Sequence, residues 1–377
     1  MVSASRLTLA RKRRGLSLVR LAELTGISTR SLSAYEKGEQ RPGPGRIGVI
    51  ATKLGYPVEF FFGEGIDELP VAAVSFRAPS KLPAVRRDAA LGAGRLAMEL
   101  NRWIVERFEL PEPDVPSLDR HDPELAADEV RARWGLGVAP VPNMVHLLEA
   151  HGIRVFSLRE CAEVDGFSTV WEGTPYVFLN VGTSGERGRF DAAHELGHLV
   201  LHGRREAGPA AEREANRFAA AFLMPRADVL AHLPPAPSPD VILAAKRRWQ
   251  VAAMALTHRL HEVGVLSEWL YRMTCVELGK RGYRAAEPGG IPRESSQLLY
   301  KVFRLLRADR ITAADIAADL RLPTDEINGF VFGLIPTALP GVGGAAAGPA
   351  GTPGAPGGVD APGGVGGGER PTLRVVR

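Results

Sequence analysis

The stretch Arg187–His202, RGRFDAAHELGHLVLH, constrains this chain more than any other part of it. It holds His194-Glu195-Leu196-Gly197-His198, an H-E-x-x-H sequence with Leu196, Leu199, Val200 and Leu201 making it suitable for a buried helix. Thr183 followed by Glu186 reads as a capping box at the start, and Gly203 as the stop. On a helix, His194 and His198 lie one turn apart on one face, so both imidazoles can reach one metal ion. Glu195 sits about 100° round, near enough to touch a water at that ion without ligating it. The competing reading is a buried helix whose histidines are satisfied by hydrogen bonds. A chance H-E-x-x-H is expected in roughly one such chain in a hundred, so the metal reading needs support elsewhere.

Support comes from residues 212–225, EREANRFAAAFLMP. A catalytic zinc takes three protein ligands and keeps one position open. Phe218, Ala219, Phe222 and Leu223 recur at helical spacing and Pro225 ends the run. Glu212 is the expected third ligand, with Asn216 on the same face as an orienting hydrogen-bond partner. Glu214 is the alternative. His202 extends the histidine stripe by another turn, but ligation from there needs a strained reach, which favours a structural role.

HELGHLVLH, followed about ten residues later by E-x-x-A-N-x-F-A-A-x-F-L-M-P, resembles the ImmA/IrrE family of bacterial and phage zinc metallopeptidases over roughly residues 120–235. The resemblance implies a minimal gluzincin-like fold and a regulatory role, cleaving a repressor or acting with one. Matched residue by residue, it implies His194, His198 and Glu212 as metal ligands and Glu195 as catalytic base.

Charge is unevenly placed. The 377 residues carry a net +4, yet residues 1–62 hold eleven Lys/Arg and four Glu, hence +7, which leaves −3 for the remainder. A basic N-terminal module suggests a polyanionic partner. Its residues 5–14 read as a basic helix, Ser17 caps a second (Leu18–Leu24), Gly26 turns, Ser28 caps a third (Thr29–Lys37) and Gly38 stops it. LVRLAELTGISTRSLSAYEKGEQRP resembles XRE/Cro-like helix-turn-helix DNA-binding domains, with Leu18 standing where that family often has Gln. By this resemblance Ser28, Thr29, Arg30 and Ser33 face base edges or phosphates, with Arg30 the candidate for a guanine edge. Arg11, Arg13, Arg14 and Arg41 are the expected phosphate contacts. The alternative is a helix-turn-helix that docks on protein and touches no DNA.

The fold class expected is mainly α with a small α+β domain. The organisation expected is a helix-turn-helix domain (1–66), a helical connector (67–120), a gluzincin-like metallopeptidase domain (121–235), a helical region (236–335) and a disordered Gly/Ala/Pro tail (336–377). The connector carries one amphipathic helix, Val85–Phe108, whose apolar side (Leu91, Leu96, Leu100, Trp103, Ile104) suits internal packing or a homodimer surface. GIRVFSL and TVWEGTPYVFLN read as strands with Glu172-Gly173 as a turn. Thr169–Trp171 or Tyr176–Leu179 is expected to be an edge that pairs with an extended substrate. His146 and His151 are expected on the surface. Residues 296–333 read as helix, turn, helix with little basic charge, which favours packing over a second DNA-binding unit. No run reaches the ~20 apolar residues of a membrane span, no signal-peptide pattern opens the chain, and Cys161 and Cys275 lack disulfide or metal spacing. The expectation is a cytoplasmic, Zn²⁺-dependent regulator with DNA and a repressor or antitoxin protein as partners. The alternative is a transcription factor whose zinc domain senses a signal and cleaves nothing.

Overall fold

The computed structural model describes residues 1–331, apart from 72–73, 78–81, 120, 159–163 and 204–207, together with 374–375. The fold is mainly helical with one small sheet. Its N-terminal part is α1 (Ala4–Arg13), α2 (Leu18–Thr25), α3 (Thr29–Glu36) and α4 (Pro44–Leu54), closed by a 3₁₀ turn over Val58–Phe62. The punctuation is local: Ser17 Oγ accepts from the Arg20 amide, Ser28 Oγ accepts from the Ser31 amide, and Gly26 turns between them at φ +70°. Leu7, Leu21, Leu32, Ile50 and Phe60 are fully buried at its centre.

Next come β1 (Val74–Arg77) and α5 (Ala84–Val105). The apolar side of α5, from Leu91 to Ile104, is covered within this chain and is not left as a dimer face. Two glycines let α5 lie between its neighbours. A Cβ on Gly92 would stand 3.2 Å from the Arg13 backbone, and one on Gly94 would stand 2.7 Å from the Phe167 ring. After β2 (Phe108–Glu109) follow α6 (Pro123–Arg133), α7 (Met144–Ala150), β3 (Arg154–Ser157), β4 (Gly166–Trp171) and β5 (Thr174–Leu179). His146 on α7 and His151 just after it are half-buried; His151 stacks on Trp134 at 4.0 Å between ring centres.

The sheet order is β1-β4-β5-β3, with β4 antiparallel to both neighbours and β3 parallel to β5. This corrects the second of the two expected substrate edges and takes Thr169 from the first, leaving Val170 and Trp171 beyond the end of β1. Tyr176–Leu179 lies between two strands, and Thr169 pairs with Val74, because the connector supplies β1 to that side of β4. Side chains alternate across the sheet, as strand geometry demands. Phe156, Phe167, Tyr176 and Phe178 face a core shared with α1–α5, while Val155, Val177 and Leu179 face a second core.

That second core contains α8 (Gly185–Leu201) and α9 (Pro209–Leu223), followed by α10 (Arg226–His232), α11 (Pro239–Trp249), α12 (Ala253–Glu262) and α13 (Glu268–Lys280). The chain then returns to the first core with α14 (Gln297–Ala308), α15 (Ala313–Leu320) and α16 (Thr324–Phe330). Ile327 and Phe330 of α16 are buried there, so one side of this helix packs inward. Of the C-terminal tail only β6 (Arg374–Val375), paired with β2, is described; the disorder expected for 336–377 otherwise falls outside the described residues. Cys161 also falls outside them, and Cys275 on α13 is half-buried. Among the described residues no helix is long and apolar enough to cross a membrane.

Candidate metal centre

Helix α8 is capped by Ser184, whose Oγ accepts from the Arg187 amide, rather than by Thr183. The Glu186 carboxylate does not reach back to close a capping box. It is buried against the Lys246 ammonium at 3.2 Å and accepts the Ile291 amide. From this anchored start the helix runs fully buried past His194, Glu195 and His198, then stops where Gly203 turns at φ +53°.

Helix α9 crosses α8 at Gly197. A Cβ there would meet the Ala215 backbone at 3.2 Å and the Phe218 ring at 3.1 Å, so the second variable position of the H-E-x-x-H sequence is small for a packing reason. The close crossing brings the first turn of α9 over the histidines. His194 Nε2 and His198 Nε2 lie 3.0 Å apart, and the two Glu212 oxygens lie 3.3 and 3.2 Å from them respectively. Burial by itself would raise the Glu212 carboxyl, but hydrogen bonds and charge from His194 and His198 outweigh it and bring it to about 2. A carboxylate in the first turn of α9 also faces the positive end of that helix.

Three lone-pair donors this close repel unless something positive sits among them. Ligands about 2.0–2.1 Å from a tetrahedral ion stand roughly 3.3 Å from one another, which is near the spacing found here. His194, His198 and Glu212 are also the one His/Cys/Asp/Glu cluster among the described residues whose ligand atoms can share an ion. The donor set fits a divalent metal of borderline softness.

Around this triad the outer contacts differ from residue to residue. His194 Nδ1 lies 3.1 Å from Asn216 Oδ1, one turn beyond Glu212 on α9. Glu214 points away from the triad and holds His202 Nε2 at 2.9 Å, while His202 Nδ1 faces His198 Nδ1 at 3.1 Å. Glu195 receives a hydrogen bond from the Ser168 hydroxyl of β4 at 2.6 Å. Neither the Ser168 contact nor the His202–Glu214 pair was foreseen from sequence. An inward serine on an apolar strand was the available signal for the first, and the fourfold spacing of His194, His198 and His202 for the second.

The N-terminal residues separate into two groups. Ser28, Thr29 and Arg30 are exposed at the start of α3 with Ser33 half-buried behind them, and Arg41 is exposed nearby. The other expected phosphate contacts, Arg11, Arg13 and Arg14, are held in internal ion pairs. Arg11 makes a two-pronged bond to Glu36 at 2.6 and 2.7 Å. Arg13 is 8 % exposed and bonded to Glu326 of α16, which Arg14 also reaches at 3.0 Å. The structure therefore does not bring Arg13 to the surface that carries Ser28–Arg30, and the phosphate contact expected of it is replaced by an internal ion pair.

Comparison with known proteins follows the same division. Residues 7–61 match a helix-turn-helix family, and residues 148–261 match the peptidase family described as the IrrE N-terminal-like domain. The chain is a helix-turn-helix protein carrying an IrrE-like domain. The IrrE-like match starts within α7 and runs through most of α12, so it extends past the boundary at 235 expected from the motifs. Two proteins, from Sinorhizobium medicae and Rhizobium meliloti, are each 41% identical to this chain over 58 residues and are described as uncharacterized HTH-type transcriptional regulators. The match covers 15% of this chain and 42% of each of theirs.

Proposed function

We propose that this protein is a DNA-binding transcriptional regulator whose IrrE-like domain is a zinc-dependent peptidase acting on one specific protein, a repressor or an antitoxin, in stress response, phage control or toxin–antitoxin regulation. The observation that carries the reading is the triad of buried His194 and His198 with half-buried Glu212, and the Glu195 carboxylate on the helix of the two histidines. When bound there, zinc supplies Lewis acidity, which lowers the pKa of water toward about 7 and polarises a carbonyl.

The protein's own groups then divide the work. His194, His198 and Glu212 hold the ion. Glu195, the next residue after a ligand but turned about 100° away from it, takes the proton of the attacking water and returns it to the leaving amine. Ser168 donates to Glu195 Oε2 and so fixes which carboxylate face is presented. A non-catalytic, closed zinc site would enlist His202 as a fourth ligand. Here His202 Nδ1 is turned to the far nitrogen of His198, which favours a three-ligand site.

At the other end of the chain, exposed Ser28, Thr29 and Arg30 at the N-terminus of α3 favour major-groove contact. The decisive experiment incubates the purified chain with the protein encoded by the neighbouring gene, with and without chelator. Wild type is expected to cleave it only without chelator, and Glu195→Gln is expected to bind zinc normally and cleave nothing. Undiminished cleavage by Glu195→Gln removes the general-base role; no cleavage by any form removes the peptidase reading.

A further inference from the structure

A histidine that ligates through Nε2 must keep the lone pair of that atom free, so its proton resides on Nδ1 and needs an acceptor. For His194 the acceptor is Asn216 Oδ1 at 3.1 Å. For His198 the group at hydrogen-bond distance from Nδ1 is another imidazole nitrogen, His202 Nδ1, at 3.1 Å. An imidazole nitrogen accepts only when it carries no proton, so His202 must then carry its own on Nε2. That atom lies 2.9 Å from Glu214 Oε2, a carboxylate that only accepts.

Resting on the reading of His194, His198 and Glu212 as a metal triad, we propose that His202 and Glu214 form a positioning relay. It holds His198 in the one tautomer and ring orientation that can ligate. The chain of donors has a single consistent direction, from His198 Nδ1–H to His202 Nδ1, then from His202 Nε2–H to Glu214. Reversing either ring would leave His198 Nε2 protonated against His194 Nε2, 3.0 Å away, and against Glu212. Helix α9 thereby contributes to the centre three times in five residues: Glu212 as ligand, Asn216 behind His194, and Glu214 behind the His198–His202 pair. Glu214, about 200° round the helix from Glu212, lies off the triad and reaches His202 at the C-terminal end of α8.

A purely structural role for His202 predicts something different. His202 is 7 % exposed and Glu214 about half-exposed, so an ordinary ion pair at this depth would leave zinc affinity untouched. The test is competition of the full-length protein with a chromogenic chelator for zinc. His202→Ala and Glu214→Ala are each expected to weaken zinc binding by about 10- to 100-fold, the range typical of lost outer contacts. The double variant is expected to be no weaker than His202→Ala, because the two act in series. Glu214→Gln, which keeps an acceptor oxygen, is expected to recover most of the affinity. Half-exposed Glu214 can be replaced without unfolding the chain, so it keeps the test decisive should His202→Ala misfold.

A second readout is the ring protonation state of the zinc-loaded protein by long-range ¹H–¹⁵N spectra: Nδ1–H for His198 and Nε2–H for His202. Unchanged zinc affinity in both single variants, or His202 found with its proton on Nδ1, overturns the relay while leaving the triad intact. A wild-type chain that binds no zinc overturns the triad, and the relay with it.

Discussion

Replacing Glu326 by Ala should weaken the whole fold although the residue lies on a short helix near the end of the described chain. Glu326 is 2 % exposed. Its carboxylate receives Arg13 Nε at 2.9 Å and Nη2 at 2.8 Å, Arg14 Nη1 at 3.0 Å and the Tyr56 hydroxyl at 3.2 Å. Removing the carboxylate takes away the buried acid that Arg13, itself 8 % exposed, and Arg14 share, and breaking such a buried pair from one side costs about 3–5 kcal/mol. The Tyr56 hydroxyl, whose pKa burial and Glu326 raise well above the ordinary range, loses its acceptor as well. The Arg20–Glu23 pair is the internal control. With side chains 61% and 55% exposed, its loss should cost less than about 1 kcal/mol. Urea unfolding of the full chain, followed by circular dichroism, reads both. Arg13→Met combined with Glu326→Leu should regain much of the loss, since apolar replacement of both partners is often neutral. A Glu326→Ala penalty below about 1 kcal/mol would refute the claim that this carboxylate ties the helix-turn-helix part to the C-terminal helices. The same reasoning makes Arg13→Ala a stability variant, with no expected change in the salt dependence of DNA binding.

Three other outcomes are expected. The purified chain should hold about one zinc, His194→Ala or Glu212→Ala should lose it, and retention by Glu212→Ala would unseat the third ligand; metal analysis after dialysis decides. Arg30→Ala should flatten the preference among operators by about 1–3 kcal/mol, while exposed Arg41→Ala should weaken all DNA alike and lower the salt slope by about 1, measured by titration at two salt concentrations. Burial raises the Glu149 carboxyl from 4.5 to about 7, against hydrogen bonds from Ser296, Leu298 and Gln297. A raised acid pKa gives stability that is complete below 4.5 and lost as pH rises through about 7, so Glu149→Gln should flatten the decline of unfolding free energy over that interval.

What the sequence made legible was local. Ser17, Gly26, Ser28 and Gly38 punctuate the first helices because caps and left-handed turns are decided within four residues. The histidine spacing worked for the same reason, since a helix converts a separation of four into one face. Contacts between distant segments left no such trace. Arg13 and Glu326 are 313 positions apart, and an arginine in a basic helix reads as a phosphate contact until its partner is placed. Strand β1 has four residues in a Pro-rich stretch, too few to show a period, yet it pairs along β4 from Gly166 to Thr169, the first residue of the edge expected to be open. Amphipathicity identified the apolar side of α5 and could not say what covers it.

Strand β4 shows how tightly the two halves are specified together. Phe167 points toward α5 and stacks on Phe178 at 4.4 Å, in the core shared with the helix-turn-helix part. Ser168, the next residue, points the other way and hydrogen-bonds Glu195. Because side chains alternate with a period of two, a slip of one residue would put a phenylalanine against the Glu195 carboxylate and a serine into an aromatic cluster. Both errors are costly, one by steric overlap with a fully buried helix and the other by burying an unpaired hydroxyl. The register is held from both sides at once, by Thr169 against Val74 on β1 and by Thr169 against Tyr176 on β5. The connector strand therefore does more than join two parts of the chain. It pins the strand on which one face completes the helix-turn-helix core and the other aims the proposed catalytic carboxylate.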